Sequence, residues 1–391
     1  MPVILLIVVY LAFIGLGLPD GIFGIAWPSM RIGFNLPLQT AGYINVVVMC
    51  CCALTCFTVK NALYRFGTGV VTLVSCMVTG LALLGYSLSP SVIWLVALAI
   101  PLGLGKGAID TGLNYYVSNH YSSRCMSWLH CCWGGGATLG TLIMTRAIAL
   151  NSNWRKGYSN IVFIQFAIVL VLLVSIGLWK GTEENFAHKS EKIHIMRDIA
   201  VLKSSAALFS ILLFFIFTGI ECTVSLWANS MFVLSRHISK DTAGLWISLF
   251  YATVMAGRFL SGVIVNKLGN RALIRMGLLT GILGSAIMFL RTVPFAGMIG
   301  LLLIGLGLAP IFPCMMHETP RRFDKKTSDI LIGYQVGFAY LGGSALPALL
   351  GLVFSSTSLE MLTPCLVISL IAMLLLSEKL YLQKGSAMKT S

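Results

Sequence analysis

Five charged side chains stand inside long apolar stretches of the sequence, where an ionisable group is costly to place and usually serves a function. They are Asp20, Lys106, Asp110, Glu221 and Arg258. A carboxylic acid in an apolar cavity can load and release a proton as its access changes. The sequence therefore predicts proton-coupling roles for Asp20, Asp110 and Glu221, and a gating or structural role for Lys106 and Arg258.

Lys106 leaves two alternatives open for Asp110. The two residues are four positions apart and share a helix face, so Asp110 is either a proton carrier or the partner of Lys106 in a structural ion pair. Asp20 follows Pro19 and has no basic neighbour in its own segment, which favours the proton role for Asp20. At 1.5 Å per residue the depths of the two carboxyls differ by about 15 Å, which predicts successive stations or separate sites, not one shared dyad.

Neutral polar and aromatic residues in the apolar stretches are candidates for substrate binding. Amides hydrogen-bond hydroxyl groups, and aromatic rings pack on sugar faces. The alternative is that they form interhelical hydrogen bonds and interfacial aromatic belts. The candidates are Asn114, Gln335, Asn45, Tyr115, Trp133, Trp227 and Tyr334. Asn114 and Gln335 rank first because both have glycine neighbours.

The amino-acid composition indicates what kind of protein surrounds these residues. Of 391 residues, 57% are hydrophobic and 10% charged, whereas soluble domains carry roughly 25% charged residues. This excludes a cytosolic enzyme, a secreted disulfide scaffold and a disordered chain, and predicts an all-α membrane protein. The eleven cysteines show no ligand-pair spacing and are interpreted as small buried hydrophobes. No cofactor or metal is expected, only a proton as coupling ion.

Breaks in hydropathy predict twelve transmembrane helices, since a span needs about 20 apolar residues. They run over about 3–28, 39–59, 68–88, 92–117, 128–150, 159–179, 204–234, 241–266, 272–290, 295–319, 329–354 and 358–382. A hydrophilic stretch follows the sixth span. It divides the chain into an N-terminal six-helix bundle (1–179), a cytoplasmic linker (180–203) and a C-terminal six-helix bundle (204–391).

The net charge of +14 is a topology signal. The even-numbered loops, the linker and the C-terminus hold 18 of the 27 Lys and Arg residues, and the opposite side holds seven. The positive-inside rule then places both termini in the cytoplasm of a multi-pass protein of the plasma or inner membrane. In a soluble protein the charge would favour nucleic acid, but no nucleic-acid partner is expected here.

Short motifs repeat at an offset of 202 residues. Thr40-Ala41-Gly42 corresponds to Thr242-Ala243-Gly244, and Gly103-Leu104-Gly105 to Gly305-Leu306-Gly307. Such a repeat predicts two pseudo-symmetric six-helix bundles, the layout of major facilitator transporters, with a substrate site between halves that rock. The corresponding cytoplasmic loops of that layout imply gating or structural roles for Arg65, Gly67, Lys267, Gly269 and Arg271.

A family resemblance follows from longer motifs. Gly17-Leu18-Pro19-Asp20-Gly21 with Trp27-Pro28, Gly219-Ile220-Glu221 with Trp227, Met126-Ser127-Trp128-Leu129-His130, and Gly307 to Pro313 resemble the fucose–galactose–glucose proton symporter branch of the major facilitator superfamily. The resemblance implies proton-coupled uptake of a hexose or related polyol.

The same resemblance implies roles for two carboxyls. In fucose permease, an acid on span 1 is essential to proton coupling and an acid on span 4 to sugar recognition. Asp20 matches the first by motif. Asp110 matches the second by span and depth, as Asp in place of Glu. This sequence departs from the superfamily's cytoplasmic-loop signature, because Tyr64 and Asn266 occupy the two positions where the signature has an acidic residue.

The sequence therefore predicts a monomeric transporter, not an enzyme, that takes up a sugar or similar small polar solute with protons by alternating access. The main alternative is a proton-driven exporter of amphiphilic, drug-like or lipid-like molecules, which a large apolar cavity with Glu221 as its cation partner would favour. An intramembrane enzyme has little support, and a non-transporting sensor stays an alternative.

Overall fold

The fold was analysed in a computed structural model that describes residues 3–121, 123–151, 153–179, 204–293 and 295–387. The predicted linker, 180–203, lies outside the described residues. The α-helices, labelled α1 to α12 in chain order, are Val3–Gly17, Ile22–Gly33, Thr40–Leu88, Val92–His120, Ser123–Asn151, Trp154–Trp179, Ser205–Ser230, Lys240–Ile287, Ala296–Leu308, Ile311–Arg322, Lys325–Ser356 and Leu362–Ala387. A π-helical turn, Met231–Ser235, follows α7, and a 3-10 turn, Leu359–Met361, precedes α12.

The first predicted span is broken in the structure. A turn at residues 18–21 separates α1 from α2, because Pro19 has no backbone N–H to continue the helix. Gly21 ends the turn with φ +78°, and a Cβ there would lie 2.5 Å from the ring of Tyr251. The turn therefore requires glycine at this position and leaves Asp20 between two helices.

Two helices are far longer than a single span. α3 has 49 residues and α8 has 48, and each departs from helical geometry at one glycine. Gly67 has φ 80° and ψ 160°, and Gly269 has φ 78° and ψ 159°. The two glycines are 202 residues apart and share a conformation that is almost exclusive to glycine. The predicted loops at these positions are single-residue breaks.

Close glycine contacts repeat at the same offset. A Cβ on Gly103 would lie 2.3 Å from the carbonyl oxygen of Val48, and one on Gly305 would lie 2.7 Å from that of Phe250. Both members of the second contact are 202 residues beyond those of the first. Small residues allow such close helix approach. The same correspondence relates the contact of Gly105 with Ser75 to that of Gly307 with Gly277.

Among the described residues, ten helical segments are long and apolar enough to cross a membrane. Lys240–Ile287 counts as one of the ten, and α5 is not among them. Large apolar side chains such as Ile93, Phe163 and Val174 are 73–80% exposed, as expected of a surface that faces lipid. The prediction of an all-α membrane protein is confirmed, while the count of twelve spans stays a prediction.

Helices from the first half of the sequence pack against helices from the second half. α3 packs on α4, and α8 packs on α9. α5 also packs against α8, and α11 packs against both α7 and α3. Early and late helices thus share an interface, and the candidate site lies there.

Candidate functional site: a charged cavity between early and late helices

A cavity of about 210 Å³ lies between these helices. Its wall is mainly apolar, but it contains charged side chains from the α1–α2 turn, α4, α7 and α8. These are Asp20, Lys106, Asp110, Glu221 and Arg258. The structure therefore brings together all five charged residues that the sequence singled out, although they are as many as 238 positions apart.

Asp20 is held by two donors. The ammonium of Lys106 contacts Oδ1, and the indole Nε1 of Trp133 donates to Oδ2 at 2.8 Å. Lys106 is only 8% exposed. This ion pair is consistent with the predicted structural role of Lys106. Trp133 contributes to the site through its hydrogen bond to Asp20.

The partner of Lys106 differs from the sequence-based alternative. Lys106 pairs with Asp20 and not with Asp110, so the ion-pair hypothesis for Asp110 is wrong. The physical reason is the turn at 18–21, which places Asp20 beside α4. Lys106, Asp20 and Asp110 also line a single cavity, which contradicts separate sites for the two carboxyls. The two carboxyls bind different partners, so the alternative of successive stations stays a prediction.

Asp110 is bound by neutral groups. The Asn114 amide Nδ2 donates to Oδ1 at 2.8 Å, and the Tyr340 hydroxyl donates to Oδ2. Tyr340 belongs to α11, so this hydrogen bond joins an early helix to a late one. Asn114 is not itself part of the cavity wall and contacts the site through Asp110.

Arg258 contacts both Glu221 and Trp133 in the cavity. Its Nη2 donates to Glu221 Oε1 at 3.3 Å, and its guanidinium carbon lies 4.6 Å from the centroid of the Trp133 ring. Since Trp133 bonds to Asp20, charged and aromatic groups form one chain of contacts across the cavity. Glu221 is thus already paired with a cation.

The neutral candidates separate into two groups. Asn45 and Trp133 line the cavity, and Asn45 donates to the carbonyl oxygen of Gly343 at 2.8 Å. Tyr115, Trp227, Tyr334 and Gln335 are not in its wall.

Two of these outlying candidates form interhelical hydrogen bonds. Gln335 is fully buried and donates to Ser210 at 2.6 Å and Thr319 at 3.0 Å. Trp227 is fully buried and donates to the carbonyl oxygen of Pro347 at 2.8 Å. The substrate-binding prediction for Gln335 and Trp227 is therefore replaced by the interhelical alternative, because both polar groups are used within the protein. Tyr115 is 45% exposed, and Tyr334 packs on the small cluster around Ile211 and Leu331.

Sequence reasoning missed Tyr340 and Tyr251. Tyr251 lines the cavity, donates to Ser225 Oγ at 2.7 Å and lies edge-on to Trp133 with ring centroids 6.0 Å apart. One signal could have found Tyr340, namely a tyrosine near the middle of a predicted span and followed by Gly342-Gly343. Tyr251 is one of several span tyrosines with no distinguishing neighbour.

The predicted gate residues outside the cavity flank the breaks at Gly67 and Gly269. Arg65 and Lys267 are exposed. Arg271 donates to Glu378 of α12 at 2.8 Å, as does Arg275. Glu378 thus places a carboxylate near the Gly269 break, where the sequence itself lacks the acid of the superfamily signature.

A family model described as Major Facilitator Superfamily matches residues 9–347. The chain belongs to the major facilitator superfamily. This facilitator is 23% identical over 269 residues to the glucose/mannose transporter GlcP of Bacillus subtilis (strain 168), and the match covers 66% of this chain and 65% of the relative. The alignment therefore spans somewhat less than two thirds of that relative.

Solved structures show the same fold. The crystal structure of a D-xylose-proton symporter is 14% identical, with a TM-score of 0.75 over 95% of this chain and 96% of that chain. A variant of the nucleoside transporter NupG is 11% identical, with a TM-score of 0.75 over 97% and 99% of the two chains. By its family model and its apolar helices the chain is a multi-pass membrane protein of this superfamily, and family membership argues against the enzyme alternative.

Proposed function

We propose that this facilitator imports a sugar together with protons, by alternating access of two six-helix halves, 1–179 and 204–391. In the proposal both termini are cytoplasmic, the protein is a monomer in the plasma or inner membrane, and the linker joins the halves. The observation that carries it is the central cavity, where a carboxyl held by neutral donors lies beside two internal ion pairs.

Asp110 is the leading proton site in this proposal. Protonation of Asp20 would break its ion pair with Lys106, and protonation of Glu221 would break its ion pair with Arg258. Asp110 accepts hydrogen bonds only from the neutral groups of Asn114 and Tyr340 among the described residues. A proton can therefore bind to Asp110 without separating two buried charges, which is an expensive step.

A sugar is the proposed substrate because of three features. The relative GlcP is named a glucose/mannose transporter. The cavity presents Asn45 and Trp133, an amide and an aromatic ring of the kind that contact sugars. Its volume of 210 Å³ is below the roughly 300–1,000 Å³ of drug-sized pockets. With Glu221 paired to Arg258, the wall also offers less to an amphiphilic cation than the exporter alternative requires.

Alternating access is supported by contacts that close one end of the cavity. A Cβ on Gly24 of α2 would lie 2.2 Å from the carbonyl oxygen of Ser225 in α7. Asn229 donates to the carbonyl oxygens of Gly24 and Ile25 at 3.3 and 3.2 Å. In the proposed orientation this is the outer end, so the structure corresponds to a state closed to the outside.

The test is transport by the purified protein in proteoliposomes with an imposed pH gradient. Radiolabelled glucose and mannose should accumulate, and Asp110→Asn should lose accumulation while it retains exchange of labelled for unlabelled sugar. Gly177→Ala is the control, because Gly177 is outside the cavity wall and a Cβ there would meet nothing within 4 Å. Undiminished accumulation in Asp110→Asn would contradict the proton role, and absence of sugar exchange in the unaltered protein would contradict the substrate class.

A further inference from the structure

Arg258 has most of its hydrogen-bonding capacity unused. The side chain is 8% exposed and lines the cavity. A guanidinium carries five N–H donors, yet its hydrogen bond among the described residues is the one from Nη2 to Glu221 Oε1 at 3.3 Å. Its Nε is buried and has no hydrogen-bond partner in the part of the chain that the structure describes. Leaving a buried donor unsatisfied is destabilising, so the arrangement points to a group that is supplied from the cavity.

A second Arg–Glu pair shows that unused guanidinium donors are not a general feature of the Arg–Glu pairs in this chain. Arg236 donates from Nε to Glu360 Oε1 at 3.0 Å and from Nη2 to Oε2 at 2.8 Å. Its Nη2 also donates to the carbonyl oxygen of Met288 at 2.7 Å. Arg236 and Glu360 are not part of the central cavity wall, and there the guanidinium fork is matched to its carboxylate in the usual bidentate manner.

The other carboxyls of the cavity are saturated by comparison. Both oxygens of Asp20 accept from protein donors, as do both oxygens of Asp110. Glu221 accepts through Oε1 alone, and its Oε2 has no protein donor among the described contacts. Unused donors and an unused acceptor therefore lie side by side on α8 and α7.

We propose that Arg258 and Glu221 recognise adjacent hydroxyl groups of a neutral sugar. Arg258 donates to one hydroxyl oxygen, and the Glu221 carboxylate accepts the hydrogen of the neighbouring hydroxyl, since a hydroxyl both donates and accepts. The inference rests on the proposed sugar-transport function and assigns the specificity within it.

The pairing of charges determines which sugars are excluded. Arg258 and Glu221 together carry no net charge. An acidic sugar would bring a second carboxylate against Glu221, and an amino sugar would bring a second cation against Arg258. In a cavity of low dielectric such like-charge contacts are strongly unfavourable. The site therefore selects neutral polyols over their charged analogues.

The experiment is exchange of radiolabelled glucose in proteoliposomes without a pH gradient, so that proton coupling does not enter. Unlabelled glucose, glucuronate and glucosamine are the competitors, at a pH where the last two are charged. In the unaltered protein, both charged sugars should compete at least about tenfold more weakly than glucose, a difference equivalent to roughly one lost hydrogen bond.

Two variants should each relax the discrimination, one for each charged analogue. Glu221→Gln leaves Arg258 as the unbalanced charge, so the ratio of glucuronate to glucose affinity should rise about tenfold. Arg258→Gln leaves Glu221 unbalanced, so the ratio for glucosamine should rise instead. Arg236→Gln makes the same change in the pair outside the cavity and should leave both ratios as they are.

The outcomes separate the two proposals. If the unaltered protein exchanges no neutral hexose, sugar transport fails and the recognition site with it. If it exchanges glucose but accepts either charged analogue equally well, only the recognition site fails, and this measurement does not depend on whether a variant folds. Folded variants that keep the original ratios would overturn the recognition site in the same way.

Discussion

At the scale of single residues, the cavity is organised by the cost of burying charge. An unpaired charge in an apolar interior is far less stable than a paired one, so Lys106 and Arg258 each contact a carboxylate. Asp110 is the exception, and neutral donors bind both of its oxygens. Asp20 and Glu221 are thus ion-paired, whereas Asp110, which carries the same chemical group, is not.

Removal of Asp20 should destabilise the protein through Lys106. Asp20→Asn leaves a buried ammonium without its counter-charge, a loss of about 3–5 kcal/mol in the free energy of unfolding for a buried pair. The double variant Asp20→Asn with Lys106→Met removes both charges and should recover most of the loss. Thermal melting of the purified protein in detergent measures both effects. A single variant as stable as the unaltered protein would contradict the ion pair.

At the scale of elements, breaks in the helices position the site. The turn at residues 18–21 places Asp20 between α1 and α2 and against α4. The glycine breaks at Gly67 and Gly269 redirect α3 and α8, which supply Asn45 and Arg258 to the cavity wall.

Gly269 provides a clean test of backbone conformation. A Cβ at Gly269 would meet nothing within 4 Å, so Gly269→Ala adds no collision and only forces alanine into a conformation with φ 78°. Such strain costs about 1–3 kcal/mol, and we expect a lower melting temperature and slower sugar exchange. Gly333→Ala is the matched control, since Gly333 also has open space around it but lies in helical conformation. Equal behaviour of the two variants would contradict a conformational requirement at Gly269.

At the scale of the whole molecule, the early and late helices touch closely at one end of the cavity. The absence of a side chain at Gly24 allows α2 to approach the backbone of Ser225. Gly244 of α8 approaches α5 in the same way, since a Cβ at Gly244 would lie 2.3 Å from the Thr145 hydroxyl oxygen. A contact between small residues can form and separate without breaking ion pairs, which suits an end that opens in the proposed alternating-access cycle.

A large side chain at Gly24 should hold that end open. Gly24→Leu cannot fit within 2.2 Å of a carbonyl oxygen, so Cys222 in the cavity should react faster with a membrane-impermeant maleimide added from the outside. Gly33→Leu is the control because Gly33 is on the same helix and has nothing within 4 Å. The same measurement on variants that also carry Cys222→Ser assigns the signal to Cys222. Unchanged labelling in Gly24→Leu would contradict the closed state proposed for this end.

The sequence by itself determined the class of the protein and singled out the five charged residues that line the cavity. Its apolar runs predicted a helical membrane protein, because hydropathy is a local property of the chain. Its offset of 202 anticipated the matched conformations of Gly67 and Gly269 and the matched contact of Gly103 and Gly305. The five charges were identifiable because each is costly in an apolar segment.

Only the tertiary structure decided which groups meet. Lys106 lies one helical turn from Asp110 but bonds to Asp20, which is 86 positions away. Gln335 has the composition of a ligand contact but is used between helices, whereas Tyr340 had attracted no attention. Helical spacing specifies neighbours on one face of one helix. The partner across an interface depends on how separate helices bend and pack, and sequence periodicity carries no information about that.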